Sequence, residues 1–361
     1  MSEQIPPLAT AGSVPPDPDH PSPLQRTGPA AGAGATTTRG PRGLLHGATG
    51  RNLGLVIALA VLCAVGVATA GDRFASIDNV MTILRLAAVI GVLSIGMTFV
   101  ITGGGIDLSV GSVLGLASVW ATTVATQTMA QDVHWGVMVL TALAVGTACG
   151  LVNGVLIAYG QVVAFIATLA MMVGARGLAE VIANRQTQIV TVPEFLTVFR
   201  AEPLGVSVIV WIFVVVAIAG WVLLNRTTFG RRTLAVGGNP EAARLAGIRI
   251  RRHTMYLYAI SGLTAGIAAV MMLARTTAGS STNGGLYELQ VIAAVVVGGT
   301  LLAGGRGTIV GTVLGVLIFA TLFNVFTQNN LSISAQSVAQ GAIIVLAVLL
   351  QQRFAARSRS S

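Results

Sequence analysis

Few side chains in this chain are placed where they could do chemistry, and none is arranged to make or break a bond. Asp107, Arg176 and Glu180 are the charged groups nearest the interior of long apolar runs. A carboxylate so placed accepts strongly from hydroxyl groups, so Asp107 is a candidate ligand for a hydroxyl-bearing molecule. It has a second reading, as the N-cap of a helix starting near Leu108 with Ser109 assisting, and both stay open on sequence. The four histidines, His20, His46, His134 and His253, lack metal-ligand spacing. No nucleophile, base and orienting group fall together, so no catalytic residue and no metal site is expected. All 21 basic residues are arginine. A nucleotide-binding P-loop needs a lysine, so nucleotide hydrolysis is not expected of this chain. Cys63 and Cys149 both lie in apolar runs, where a lone cysteine acts as a small core residue.

The most specific local pattern runs through Gly237, Gly238, Asn239, Pro240, Glu241, Ala242, Ala243, Arg244, Leu245, Ala246, Gly247 and Ile248. Asn239 is a good N-cap. Pro240 suits the first helical position, where a missing N–H costs nothing. Glu241 in the first turn and Arg244 near the end both match the helix dipole. Gly247 can take the left-handed position that stops a helix. The spacing predicts a two-turn helix, cut sharply at both ends, with a surface of Ala242, Ala243 and Ala246 small enough for close docking. The alternative is an inert loop whose arginines only orient the chain.

These residues must be held by elements that live in a bilayer. Of 361 residues, 54% are hydrophobic and 9% charged, against about 25% charged in soluble proteins. Mean hydropathy is +0.81. So few charges cannot cover a water-soluble globule of this size, which excludes secreted enzymes, disulfide scaffolds and cytosolic ATPases. Residues 1–52 are rich in Pro, Gly, Ala and Thr and are expected to be a disordered cytoplasmic tail. About 20 apolar residues span a bilayer as helix. The expected spans are 53–70, 86–102, 110–127, 135–158, 164–183, 207–224, 254–274, 289–303, 309–327 and 333–351, followed by a cytoplasmic tail at 352–361. The spans flanking the glycine-rich stretches 103–109 and 304–307 are the least defined, since such breaks can be re-entrant or sit within the membrane. Ten crossings starting inside place 15 of the 21 arginines on the inner side, as the positive-inside rule requires. The fold class expected is an all-α polytopic membrane protein with about ten transmembrane helices.

An internal echo accompanies these spans. Gly111, Ser112, Val113, Leu114 and Gly115 recur 200 residues later as Gly311, Thr312, Val313, Leu314 and Gly315, each set after a glycine cluster. This is either a true repeat, common in transporters, or two small-residue packing faces arising separately. Gly146, Gly150 and Gly154 form another such face. Trp120, Trp135, Trp211 and Trp221 lie near span ends and suit interfacial anchors. Tyr287 and Glu288 follow the polar stretch 276–285 at an outer end, either receiving a soluble partner or acting as an interfacial aromatic beside a solvated acid.

Residues 74–351 resemble ABC-importer permeases, and within them the ribose/xylose/arabinose-type sugar permeases. The resemblance is carried by Gly96, Met97, Thr98, Phe99 and Val100, and by Gly104, Gly105, Ile106, Asp107, Leu108, Ser109, Val110, Gly111 and Ser112. It continues through Ala164, Phe165, Ile166, Ala167, Thr168 and Leu169, then Gly237, Gly238 and Asn239. It ends with Tyr287, Glu288 and Leu289, the Ile292 to Val296 run, and Gly298, Gly299, Thr300, Gly304 and Gly305. It implies a coupling helix at Gly238, Asn239, Pro240, Glu241, Ala242, Ala243, Arg244, Leu245 and Gly247. It implies a translocation pathway near Gly104, Gly105, Asp107, Ser109, Phe165 and Thr168, and outer docking at Tyr287 and Glu288. Expected partners are an ABC ATPase subunit carrying ATP and Mg, an extracytoplasmic sugar-binding protein, and a second permease copy or paralogue. The bilayer is a partner and nucleic acid is not. This chain is expected to hold no cofactor and to lie in a bacterial inner membrane with both termini cytoplasmic. Leu286 and Gln290 stand where the family usually has Gly and Asp, and Ala246 and Leu301 where serine is frequent, so the cargo stays open. The same machinery could carry a monosaccharide, a nucleoside, a branched-chain amino acid or a furanone signal. A stand-alone secondary transporter is the rival from another class, and the scarcity of intramembrane ion ligands weighs against it.

Overall fold

The computed structural model describes residues 48–343 and 345. Its helices are α1 (Ala48–Ala70), α2 (Asp72–Ala75), α3 (Ile77–Thr102), α4 (Val110–Ala121), α5 (Val124–Asp132), α6 (Gly136–Ala158) and α7 (Ala164–Ile182). They continue with α8 (Pro193–Phe199), α9 (Val208–Arg226), α10 (Thr228–Gly238), α11 (Pro240–Leu245), α12 (Ile250–Thr276), α13 (Tyr287–Val297) and α14 (Ile309–Gln328). Two-residue strands β1 (Gln188–Ile189) and β2 (Ala278–Gly279) pair antiparallel and tie two connecting loops together.

Each of the ten expected apolar runs contains helix among its described residues, and the chain is an all-α polytopic protein. Seven helices, α1, α3, α6, α7, α9, α12 and α14, are long and apolar enough to cross a membrane. Two runs are shorter than expected. The run 110–127 breaks at Thr122, whose hydroxyl donates to the Ser118 carbonyl at 2.8 Å, and continues as the separate α5. The run 289–303 ends at Val297, because Gly298 and Gly299 turn the chain. With 12 and 11 residues, α4 and α13 are about 18 and 16 Å long, roughly half of the ~30 Å hydrocarbon core. The last run begins as helix at residue 333 and passes out of the described residues. Of the tail 1–52, residues 48–52 are helical because α1 starts at Ala48. Residues 1–47 and 352–361 lie outside the described residues.

Helices α3 and α12 form the centre of the bundle and α4 is buried between their neighbours, with Leu114, Ala117, Val119 and Ala121 fully covered. Apolar lipid gives no hydrophobic drive to helix association, so close packing of small residues must supply it. The α6 face of Gly146, Gly150 and Gly154 does this. A Cβ added at Gly146 would lie 2.7 Å from the Gly266 nitrogen, and one at Gly150 would lie 2.9 Å from the Gly262 Cα. Backbone therefore meets backbone along the α6–α12 pair.

Candidate functional site

The segment 239–248 folds as its residue types dictate. The Asn239 Oδ1 accepts from the Ala242 N–H at 3.0 Å, and Pro240 opens α11. At the other end the Ile248 N–H donates to the Ala243 carbonyl and the Gly247 N–H to the Arg244 carbonyl, at 3.0 and 2.9 Å. Gly247 has φ +80°. This is a complete Schellman stop, in which a left-handed glycine lets two orphan carbonyls find donors. Glu241 and Arg244 pair at 3.2 Å on the exposed side. One expectation is corrected. Ala243 is not on the exposed surface of α11; it is 4% exposed and turned toward its own chain. The free face is Ala242, Leu245 and Ala246, and Leu245 is 85% exposed.

Helix α11 hangs from a junction of three glycine segments. The α3 terminus turns at Gly104, with φ +86°. The Gly305 N–H donates to the Thr102 carbonyl at 2.8 Å, locking the α13–α14 connection onto that terminus. A Cβ at Gly304 would lie 2.9 Å from the Gly104 Cα, and one at Gly305 would lie 2.6 Å from the Gly238 Cα. Any side chain at Gly237 would strike the Thr102 carbonyl. The end of α10, immediately before α11, is thereby wedged into both helix breaks.

Asp107 and Ser109 occupy the first break. The Asp107 Oδ1 accepts from the Ser109 N–H at 2.9 Å and hydroxyl at 2.6 Å, and Oδ2 accepts from the Ser261 hydroxyl at 2.7 Å. The Asn153 amide donates to the Ser109 hydroxyl at 3.0 Å. The Tyr258 hydroxyl donates to the Ile106 carbonyl at 3.2 Å and packs over Gly105. Asp107 is buried and ties the break to α6 and α12. Its Oδ1 takes the Ser109 N–H as an N-cap would for a helix from Leu108, although regular helix starts only at Val110. Among the described residues no hydrogen bond joins Phe165 or Thr168 to this knot. The Thr168 hydroxyl donates to the Ala164 carbonyl of its own helix, and Phe165 is 55% exposed.

The polar stretch 276–285 lies along α4. Asn283 donates to the Ser118 hydroxyl at 3.2 Å. Arg176 of α7 donates to the Ser281 carbonyl and, at 3.0 Å, to the Asn283 carbonyl. Glu288 corrects a second expectation. It is 9% exposed rather than solvated, because the first turn of α13 faces Gly111, and its Oε2 is buried without a hydrogen-bond partner. Tyr287 is half-buried beside it. Sequence reasoning missed Ser261, Asn153 and the Arg176 contacts. Arg176 carried a signal, as an arginine inside an apolar run; the other two carried none.

A buried bundle with half-length helices and a capped helix outside it is the build of a multi-pass membrane permease. The chain belongs to the family described as "Branched-chain amino acid transport system / permease component", whose model matches residues 79–348. It is 41% identical over 302 residues to the ribose import permease protein RbsC of Escherichia coli (strain K12), covering 82% of this chain and 92% of that one. It is 41% identical over 281 residues to RbsC of Bacillus subtilis (strain 168), covering 76% and 85%. It is 36% identical over 330 residues to the L-arabinose ABC transporter permease protein AraH of Azospirillum brasilense, covering 91% and 95%. No solved structure matches it.

Proposed function

We propose that this chain is the membrane subunit of an ATP-driven monosaccharide importer of the pentose or hexose class. The relatives are named for ribose and arabinose, which supports that cargo class. In this reading an ATPase subunit on a separate chain binds ATP and Mg and grips α11. A second permease copy or paralogue completes the pathway, and an extracytoplasmic binding protein delivers the sugar. The α11 side and both termini face the cytoplasm of a bacterial inner membrane, in line with the arginine bias.

The observation that carries the reading is the glycine junction. Movement of α11 cannot be absorbed by soft side chains, since Gly237 and Gly238 touch Thr102, Gly304 and Gly305 backbone to backbone. Packed interfaces of this kind shift between discrete arrangements rather than deform. A pull on α11 therefore reaches the ends of α3 and the start of α14 and α4, around which access switches.

Cross-linking tests this. With Cys63 and Cys149 replaced by serine, a Leu245→Cys variant in the assembled membrane should cross-link to the ATPase subunit, and Ala243→Cys should not. Absence of any adduct from Leu245, together with sugar uptake that persists without the ATPase subunit, would refute the mechanism.

A further inference from the structure

The basic loop around α11 folds into a concave site. Arg232 of α10, and Arg249, Arg252 and His253 at the start of α12, line a cavity of about 270 Å³ with Tyr256 and the Gly247 turn. No acidic residue lines it, and none of these three arginines makes an ion pair among the described residues. Arg252 is held in place: its Nε donates to the Tyr256 hydroxyl at 2.8 Å, and its guanidinium lies 5.6 Å from that ring's centroid. His253 is engaged by the Thr233 hydroxyl at 2.9 Å. Orienting a membrane protein needs arginines only on one side of the bilayer. It does not need them gathered, unpaired, around one cavity, where they repel one another until an anion enters.

The depth of the cavity identifies that anion's source. Helix α12 has 27 residues, about 40 Å, against a hydrocarbon core of about 30 Å. With Arg275 at one boundary, about 20 residues of helix bring the other to Met255 and Tyr256, and tyrosine favours that interface. Arg249 and Arg252 then lie up to two turns beyond it, in the layer of the lipid phosphates. We propose that this cavity binds the phosphate of an anionic phospholipid headgroup, beside the turn that ends α11.

The test uses the full chain in nanodiscs of phosphatidylcholine alone or mixed with phosphatidylglycerol. Phosphatidylglycerol should raise the thermal unfolding midpoint of the wild type. It should leave the R232Q/R249Q/R252Q variant unmoved, with binding about a hundredfold weaker. Arg185→Gln and Arg275→Gln, which remove charges elsewhere, should keep the shift. An equal shift in the triple variant, or none in the wild type, overturns the proposal. So does an equal shift from inorganic phosphate in neutral discs, which would make the ligand a soluble anion. Loss of a co-expressed ATPase subunit from the triple variant, with no response of either protein to phosphatidylglycerol, would assign the cavity to a protein partner instead. None of these readouts depends on the identity of the cargo.

Discussion

Asp107 spends most of its hydrogen-bonding capacity on its own chain. An ionised carboxylate offers about four acceptor positions, and Ser109 and Ser261 already fill three. One position is left for a further donor. Removing the carboxylate, in contrast, strands two buried hydroxyls and an N–H, and each orphaned group costs about 1–3 kcal/mol. Asp107→Ala should therefore lower the thermal midpoint and the yield of purified protein. Asp107→Asn, which keeps the shape and one acceptor oxygen, should transport near the wild-type rate per folded molecule. If the Asn variant folds normally and fails to transport, the residue belongs to the pathway after all. The sequence left both readings of Asp107 open because its Ser261 partner lies 154 residues away, a distance that no local pattern reports.

At the scale of elements, legibility follows the range of the forces involved. Helix α11 was fully readable, since its cap, proline, dipole charges and stopping glycine act within ten residues. The long spans were readable because lipid demands a fixed length of apolar helix. The half-helices α4 and α13 were not. Their ends are set by Thr123, whose hydroxyl caps the separate α5, and by the turn at Gly298 and Gly299. The local origin of α11 makes it separately testable. Asn239→Ala removes the acceptor for Ala242 and should cost the helix about 1 kcal/mol. Gly247→Ala forces a Cβ into the left-handed region and should cost about 1–2 kcal/mol. In both, amide exchange should accelerate through 241–248 while α6 and α12 stay protected. Unchanged exchange in that segment would mean that packing rather than capping holds α11.

Over the whole molecule the relevant unit is the contact between distant backbones. Glycines 104, 237 and 304 stand far apart in the chain, and each looks alone like a flexible hinge. Together they form a stiff joint, because removing three side chains lets three backbones touch. The 200-residue echo has a related outcome: α4 and α14 both start after glycine breaks, and those breaks touch at Gly104 and Gly304, although the helices differ in length. Gly304→Ala probes the joint directly. Its φ of +85° disfavours any side chain, and the new methyl would lie 2.7 Å from the Gly237 carbonyl oxygen and 2.9 Å from the Gly104 Cα. The break must move away from α10, while the capped α11, which makes its own hydrogen bonds, stays formed. In the proposed importer this variant should still assemble with the ATPase subunit and hydrolyse ATP, but sugar uptake should fall further than ATP turnover, so that less sugar moves per ATP. The ratio of sugar moved to ATP hydrolysed is the quantity to measure in proteoliposomes. A ratio equal to that of the wild type would mean that force reaches the helix breaks by some route other than the glycines.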